Sequence, residues 1–295
     1  MDFRYVIKGA AAPEKVILFP LSDEREEEAL LDEVYARVSM KLSASTGPVE
    51  DCTNAAGSTG PADDGNALKH RGDALPFAIV GVFVPDWDRY LSPWEFRDER
   101  RHFSGEGTEL LQYIRETLLP ELKERFQAPF RAPSSSVSTP VSCPDIAQAP
   151  LFYIGGYSLS GLFCLWAALE TQSFSGCASC SGSVWYPGFY DWALKKAGTD
   201  VSDAVLSTQN NRSPVSDEPA SEAPKTLKIY LSLGTKEEKT RDPLMREVGN
   251  CTRGLYEHFL SDPARFSTVL EWNPGNHFKD VPERIAKGFA WLLNT

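Results

Sequence analysis

The sequence predicts an α/β fold in which a mostly parallel central sheet is covered by helices on both faces. Two observations support this prediction. Short apolar runs bounded by Gly, Pro or Asn alternate with amphipathic segments to the end of the chain. The apolar runs are also continuously hydrophobic, which is typical of parallel strands buried on both faces.

The predicted elements follow this alternation from the start of the chain. The run over 15–20 predicts the first strand, and a cap at Ser22 or Asp23 precedes an acidic helix that ends near Met40. Further strands are predicted over 77–85, 151–155, 175–180, 227–233 and 268–272. Further helices, with apolar residues at helical spacing, are predicted over 106–126, 159–170, 186–197, 243–260 and 282–293.

Three stretches interrupt the pattern, at 42–75, 127–150 and 198–224. They are rich in small and polar residues and show no apolar periodicity, so we interpret them as flexible, low-complexity loop insertions. The patterned sequence that remains has the size of one domain. The sequence therefore predicts a single domain over 1–295 that carries these insertions.

Charge and length exclude several classes of partner. The chain carries 30 Lys and Arg against 41 Asp and Glu, and a net charge of −11 repels nucleic acid and anionic membrane surfaces. The longest apolar run, over 77–85, is too short to span a bilayer, and the first residues lack the apolar centre of a secretory signal. We therefore expect a cytoplasmic protein with no nucleic-acid or membrane partner. The oligomeric state stays open.

The six cysteines predict neither a disulfide scaffold nor a metal site. Cys177 and Cys180 have the spacing of a zinc-ligand pair, but no second pair follows them. In a strand, residues three apart also point to opposite faces. We expect buried thiols here, and neither a metal nor an organic cofactor.

A sharp strand-to-helix turn surrounds Ser158. Turns of the form Gly-x-Ser-x-Gly expose a serine hydroxyl at a strained apex, and here Gly156 precedes Ser158 while Ser160, another small residue, replaces the second glycine. The first amides of the new helix, notably that of Leu159, would face a developing oxyanion. The turn alone also fits a nucleotide-binding fold, so the rest of the chain must decide.

A serine nucleophile needs a histidine base, and the chain has four histidines. His277 lies in a short turn between a predicted strand and the last helix, which brings it to the carboxyl edge of the sheet. The other three, His70, His102 and His258, lie in an insertion, an arginine-rich loop and a helix. His277 is therefore the candidate base.

An acidic loop follows the strand predicted over 227–233, between the serine and the histidine in chain order. A carboxylate in this loop completes the order Ser, acid, His that one class of serine hydrolases uses. Glu237 is the first choice for the acid, with Glu238 second and Asp242 third.

Four stretches resemble the Putative esterase family of α/β-hydrolases, which includes enterochelin-type siderophore esterases and is similar to S-formylglutathione hydrolases. They are GYSLSGLF over 156–163, SGSVWYPGF over 181–189, LSLGTKEEKT over 231–240 and WNPGNHF over 272–278. The resemblance implies an α/β-hydrolase fold with Ser158 as nucleophile, His277 as base and Glu237 as acid. Ser160 departs from the Gly or Ala that is commoner at that position.

The resemblance also draws attention to aromatic residues. The loop after an early strand supplies the second oxyanion amide in this fold, and Trp87 is our choice beside Leu159. Trp185 and Tyr186 are expected to form walls of a substrate pocket. Together these residues predict a serine carboxylester hydrolase whose substrate is a small-molecule ester, either a siderophore-type or a small carboxylic ester. The alternatives are an acyltransferase or thioesterase with the same acyl-enzyme, or a non-catalytic binding protein with this fold.

Overall fold

A seven-stranded sheet forms the centre of the protein. The computed structural model describes residues 3–22, 25–45, 76–127, 149–198 and 226–294. Within these residues the sheet contains β1 (Arg4–Gly9), β2 (Lys15–Ser22), β3 (Phe77–Val84), β6 (Leu151–Tyr157), β7 (Gly176–Cys180), β8 (Leu227–Gly234) and β9 (Phe266–Asn273). A separate two-stranded ladder joins β4 (Phe96–Arg97) and β5 (His102–Phe103).

The strand order in the large sheet is β1-β3-β2-β6-β7-β8-β9. β1 runs antiparallel to β3, and each of the other neighbouring pairs is parallel. This confirms the predicted mostly parallel sheet. Because the six parallel strands end at one edge, the loops that follow them meet there, and this is where open α/β sheets bind ligands.

Helices cover both faces of the sheet. They are α1 (Arg25–Ser45), α2 (Trp87–Tyr90), α3 (Gly107–Tyr113), a π-helical turn (Ile114–Leu118), α4 (Leu119–Gln127), α5 (Leu159–Glu170), α6 (Phe189–Gly198), α7 (Val248–Leu260) and α8 (Val281–Leu293). Short 3-10 turns span Glu237–Lys239 and Met245–Glu247. Apolar residues of α1 and α8 share one core, and those of α3 to α7 share the core on the opposite face. None of these described helices is long and apolar enough to cross a membrane.

The first strand, β1, was not predicted from the sequence. It lies at the edge of the sheet, and its residues are only partly buried. An edge strand with one partner needs no continuous apolar run, and here Arg4 and Lys8 interrupt the hydrophobic residues. The charges that identify this segment as polar in the sequence are therefore compatible with a strand.

The first helix is longer than the sequence pattern indicated. α1 continues to Ser45, so residues 42–45, which the sequence pattern places in an insertion, are helical, and Leu42 is buried. The small residues at this end have no helical periodicity of their own, which is why the pattern ended too early. The rest of the first insertion and nearly all of the other two lie outside the described residues, and the single-domain organisation stays a prediction.

Candidate active site

The turn between β6 and α5 holds Ser158 in an unusual backbone conformation. β6 ends at Tyr157 and α5 begins at Leu159, and Ser158 between them has φ 59° and ψ −121°. A non-glycine residue rarely adopts positive φ, and such strain is typical of a serine at a strand-to-helix apex. The turn thereby exposes the hydroxyl at the carboxyl edge of the sheet.

Small residues around this apex are a steric requirement. A Cβ atom on Gly156 would lie 2.0 Å from Ser160 Oγ and 2.8 Å from the Ser160 carbonyl carbon. Ser160 is fully buried, and its hydroxyl donates a hydrogen bond of 2.8 Å to the carbonyl of Pro20. The fold thus satisfies the extra hydroxyl of Ser160 at the position where the family more often has Gly or Ala.

His277 contacts the serine directly. The loop after β9 carries His277, and its Nε2 lies 3.0 Å from Ser158 Oγ. The hydroxyl of Tyr157 donates a hydrogen bond of 2.6 Å to the His277 carbonyl, which fixes the backbone of this loop. The structure therefore brings together the serine and the histidine that are 119 residues apart in sequence.

Glu237 contacts the other nitrogen of the imidazole. It begins the 3-10 turn after β8, and its Oε2 lies 2.7 Å from His277 Nδ1. Its second oxygen, Oε1, accepts hydrogen bonds from the Gly234 amide at 2.7 Å, Ser181 Oγ at 2.8 Å and Arg284 Nη1 at 2.9 Å. Both oxygens of this buried carboxylate are therefore hydrogen-bonded.

The pKa of Glu237 reflects opposing effects. Burial raises the pKa of this carboxyl, because a low-dielectric site disfavours the charged form. The hydrogen bond and charge of His277, with the donors Ser181 and Gly234, outweigh burial and lower the pKa below its ordinary value. Glu237 is therefore ionised at neutral pH, and the carboxylate accepts the Nδ1 proton of His277. That leaves Nε2 free to accept the Ser158 proton.

The two alternative acids are engaged elsewhere. Glu238 Oε2 forms an ion pair of 2.9 Å with Arg253. Asp242 accepts hydrogen bonds from the backbone amides of Leu244 and Met245, and one of its oxygens lies 3.2 Å from an arginine of the β4–β5 loop. Of the three candidate acids, Glu237 is the one in contact with His277.

A cleft of about 490 Å³ opens above these residues. It contains Ser158, His277 and Glu237, and aromatic rings of Trp87, Phe103, Trp185 and Phe278 form much of its wall. Phe278 follows the histidine directly and is 84% exposed. The cleft therefore combines aromatic rings with polar side chains, which is the usual character of a small-molecule site.

Tyr186 does not line this cleft. It is 1% exposed, its hydroxyl donates a hydrogen bond of 2.6 Å to the Trp94 carbonyl, and its ring packs edge-on against Phe96 and Phe103. Tyr186 is therefore not placed to form the pocket wall that we expect from the sequence. Its neighbour Trp185 does line the cleft.

The two predicted oxyanion donors are the first residues of two helices that line the same cleft as Ser158. Leu159 is the first residue of α5, and Trp87 is the first residue of α2, where the Asp86 side chain accepts a hydrogen bond from the Arg89 amide. Amides in the first turn of a helix have no acceptor within that helix. Leu159 and Trp87 both line the cleft, and their role as oxyanion donors stays a prediction.

Several residues that support the site were not found from the sequence. Ser181, at the end of β7, and Arg284, in α8, both donate to Glu237, and Tyr157 fixes the histidine loop. Arg284 could have been recognised, because it interrupts the apolar stripe of an amphipathic helix and so needs a buried partner. Ser181 has no comparable signal.

The cysteine pair occupies both faces of the sheet. Cys177 belongs to the core under α3 to α7 and Cys180 to the core under α1 and α8, and both are fully buried. Among the residues that the structure describes, no group of three or more His, Cys, Asp or Glu side chains is arranged to hold a metal ion.

Comparisons with known proteins give a family and a fold. The model of the family described as "Putative esterase" matches residues 63–252. This span includes Ser158 and Glu237 and ends before His277. No curated protein matches the sequence of this chain.

Solved structures are similar over nearly the whole chain. The siderophore hydrolase EstA from Aspergillus nidulans is 14% identical with a TM-score of 0.60, and the match covers 99% of this chain and 90% of that one. The siderophore hydrolase EstB from the same organism is 15% identical with a TM-score of 0.54, and the match covers 97% of this chain and 89% of that one. The enterobactin esterase FES from Shigella flexneri is 16% identical with a TM-score of 0.50, and the match covers 98% of this chain and 55% of that one.

Proposed function

This chain belongs to the Putative esterase family, has the α/β-hydrolase fold and is a carboxylester hydrolase, and from this premise we propose that it works through an acyl-enzyme on Ser158. In this proposal His277 is the general base and Glu237 orients it. The observation that carries the proposal is the continuous chain of contacts, 3.0 Å from Ser158 Oγ to His277 Nε2 and 2.7 Å from His277 Nδ1 to Glu237 Oε2.

The first half of the reaction forms the acyl-enzyme. Ser158 Oγ attacks the ester carbonyl while its proton passes to His277 Nε2. The imidazolium that results is stabilised by the ionised carboxylate of Glu237 at Nδ1. The amides of Leu159 and Trp87 donate hydrogen bonds to the oxyanion of the tetrahedral intermediate. His277 then returns the proton to the leaving alcohol, and the acyl group stays on Ser158.

The second half releases the acid. Water takes the place of the alcohol in the cleft and gives its proton to His277 Nε2 as it attacks the acyl carbonyl. Collapse of the second tetrahedral intermediate breaks the bond to Ser158 Oγ, which takes the proton back from His277. The products are one alcohol and one carboxylic acid, and the enzyme is unchanged.

The aromatic wall of the cleft supports a small ester as substrate. Trp87, Trp185 and Phe278 line the cleft that contains the serine, and such rings supply much of the contact surface for a small organic ligand. Three structural neighbours are named as siderophore hydrolases or an enterobactin esterase, so siderophore-type esters belong in the substrate panel beside small carboxylic esters.

Replacement of the serine tests the proposal. We expect Ser158→Ala to reduce kcat for a short-chain ester by about 10⁴- to 10⁶-fold, because a nucleophile and its base act as a unit. A fluorophosphonate should label Ser158 in the wild type, as mapped by peptide mass spectrometry. Ser183→Ala is the matched control for the labelling site: it removes a hydroxyl that lies 3.5 Å from Ser158 Oγ in the same cleft, and the label should stay on Ser158. Activity of Ser158→Ala above about a tenth of wild type would refute the nucleophile assignment.

A further inference from the structure

Arg284 contacts both the carboxylate of Glu237 and the loop that carries His277. We propose that Arg284 is a positioning residue for ester hydrolysis, whose charge sets the acid limit of His277 as a base and whose guanidinium holds the histidine loop. The inference rests on the proposed function, because it concerns the same serine, histidine and glutamate.

One end of the guanidinium is directed at the carboxylate. Arg284 is 1% exposed, and its Nη1 lies 2.9 Å from Glu237 Oε1, 3.2 Å from Ser181 Oγ and 3.1 Å from the Tyr157 hydroxyl. The pair of Arg284 and Glu237 is thus a buried ion pair. A charge in such a site interacts much more strongly with its neighbours than a charge in water does.

The other end of the guanidinium holds the loop that carries the base. Arg284 Nη2 donates hydrogen bonds to the carbonyls of Pro274 at 3.1 Å and Asn276 at 2.9 Å. Asn276 directly precedes His277. The planar fork of arginine can reach the carboxylate and these two carbonyls at once, and a single ammonium group cannot reproduce that geometry.

The groups that face Arg284 and Glu237 come from four elements. Arg284 faces Tyr157 at the end of β6, Cys180 at the end of β7 and Glu237 after β8. Glu237 in turn faces His277, in the loop after β9. Burial raises the pKa of Tyr157 to about 12 and also raises the pKa of Cys180, so both are neutral in an activity assay. Lys236, Lys279 and Asp280 on the flanking loops are exposed, where water and salt screen their charges.

The sign of the effect is the same for either response of the pair. Without the arginine charge, an ionised Glu237 stabilises the imidazolium of His277 more strongly, so the neutral base appears only at higher pH. If Glu237 instead becomes protonated in its buried site, a higher pH is needed to restore the carboxylate. In both cases the acid limb of the pH profile moves upward when the charge of Arg284 is removed.

The test is the pH dependence of kcat/KM between about pH 5 and pH 9. The rate of hydrolysis is measured by pH-stat titration of the released acid. We expect Arg284→Met and Arg284→Gln to move the acid limb up by about 1 pH unit, the size of shift that a nearby charge produces. We expect Arg284→Lys to keep the limb within about 0.3 unit of wild type, because it keeps a cation. Its kcat should fall, because the carbonyls of Pro274 and Asn276 lose their donor.

A matched control separates this effect from general destabilisation. Lys287 lies in the same helix and pairs with Glu271 and Asn273 outside the cleft. Lys287→Met should lower thermal stability and leave the acid limb unchanged. Folding of every variant is checked by circular dichroism.

The outcomes distinguish the two proposals. A folded Arg284→Met or Arg284→Gln with a wild-type limb overturns the role of the charge, and so does an Arg284→Lys limb that moves as far as that of Arg284→Gln. If both neutral variants fail to fold, the limb of Arg284→Lys decides alone, since the proposal requires it to stay in place. An active Ser158→Ala would refute the proposed function itself, independently of these profiles.

Discussion

Replacing Glu237 by glutamine should disable the base by changing which imidazole nitrogen carries the proton. Three donors converge on Oε1 of Glu237, namely the Gly234 amide, Ser181 Oγ and Arg284 Nη1. In Glu237→Gln the amide oxygen must stay on this side, because the opposite orientation would set an NH₂ group against three donors at a cost of about 1 to 3 kcal/mol for each. The NH₂ group then faces His277.

The consequence is the wrong tautomer of His277. An NH₂ group donates only, so Nδ1 must accept, and the ring proton moves to Nε2, 3.0 Å from Ser158 Oγ. A protonated Nε2 cannot take the serine proton. We expect kcat to fall by about 10³- to 10⁴-fold, which corresponds to about 4 to 5.5 kcal/mol of transition-state stabilisation. KM should change little, and raising the pH should not restore the rate, because the tautomer and not the charge is changed.

Stability gives a second measurement of the same variant. Glu237→Gln leaves the buried Arg284 without its counter-ion, and breaking a buried ion pair costs about 3 kcal/mol. For a domain of this size the Tm should fall by roughly 6 to 12 °C. Steady-state hydrolysis of a short-chain ester at 25 °C and thermal unfolding by circular dichroism measure both effects.

Glu238→Gln is the matched control. It removes the same charge from the adjacent residue, whose side chain is 32% exposed and pairs with Arg253. Exposed ion pairs contribute at most about 1 kcal/mol to the free energy of unfolding, so Glu238→Gln should change stability little. Because Glu238 pairs with Arg253 and not with His277, kcat should also stay within about twofold of wild type. The tautomer argument is refuted if Glu237→Gln keeps more than about a tenth of the wild-type kcat, or if Glu238→Gln loses as much activity as Glu237→Gln.

Two further predictions concern the nucleophile turn and the pH dependence of stability. Gly156→Ala should reduce the free energy of unfolding by about 2 to 3 kcal/mol in urea titrations, because its Cβ would overlap Ser160. The double variant Gly156→Ala/Ser160→Ala should recover only part of this loss, because a contact of 2.8 Å with the Ser160 backbone remains. Because the pKa of Glu237 is lower in the folded protein than in the unfolded chain, its stabilisation is complete above about pH 5 and is lost as the pH falls toward the folded pKa. The stability difference between wild type and Glu237→Gln should therefore shrink from pH 7 to pH 4, and a constant difference would contradict this sign.

The sequence predicts the parts of the site that follow directly from chain order. Ser158, Glu237 and His277 each follow a strand, and parallel strands bring their carboxyl ends to one edge, so their meeting could be inferred before the structure. The choice between Glu237 and Glu238 could not be settled that way. Adjacent residues in a 3-10 turn point in different directions, and only the packing of the turn determines which carboxylate reaches the imidazole.

Aromatic residues show a different limit of sequence reasoning. Trp185 and Tyr186 are neighbours of similar character, yet the first lines the cleft and the second is buried beneath it. The tyrosine hydroxyl finds the Trp94 carbonyl in the interior, so its polarity does not draw it to the surface. Composition identifies an aromatic wall, and the direction of each ring depends on tertiary packing.

The last strand and helix of the chain, with the loop between them, contribute two residues of the site, His277 and Arg284. The family match ends at residue 252, before the β9–α8 unit that contains both His277 and Arg284. Through the Glu237 carboxylate, Arg284 is in contact with the end of β8 and, through Ser181, with the end of β7. One helix therefore contacts both the loop that carries the imidazole and the carboxylate that lies beside its Nδ1. These contacts restrain a histidine whose side chain is 31% exposed at the cleft.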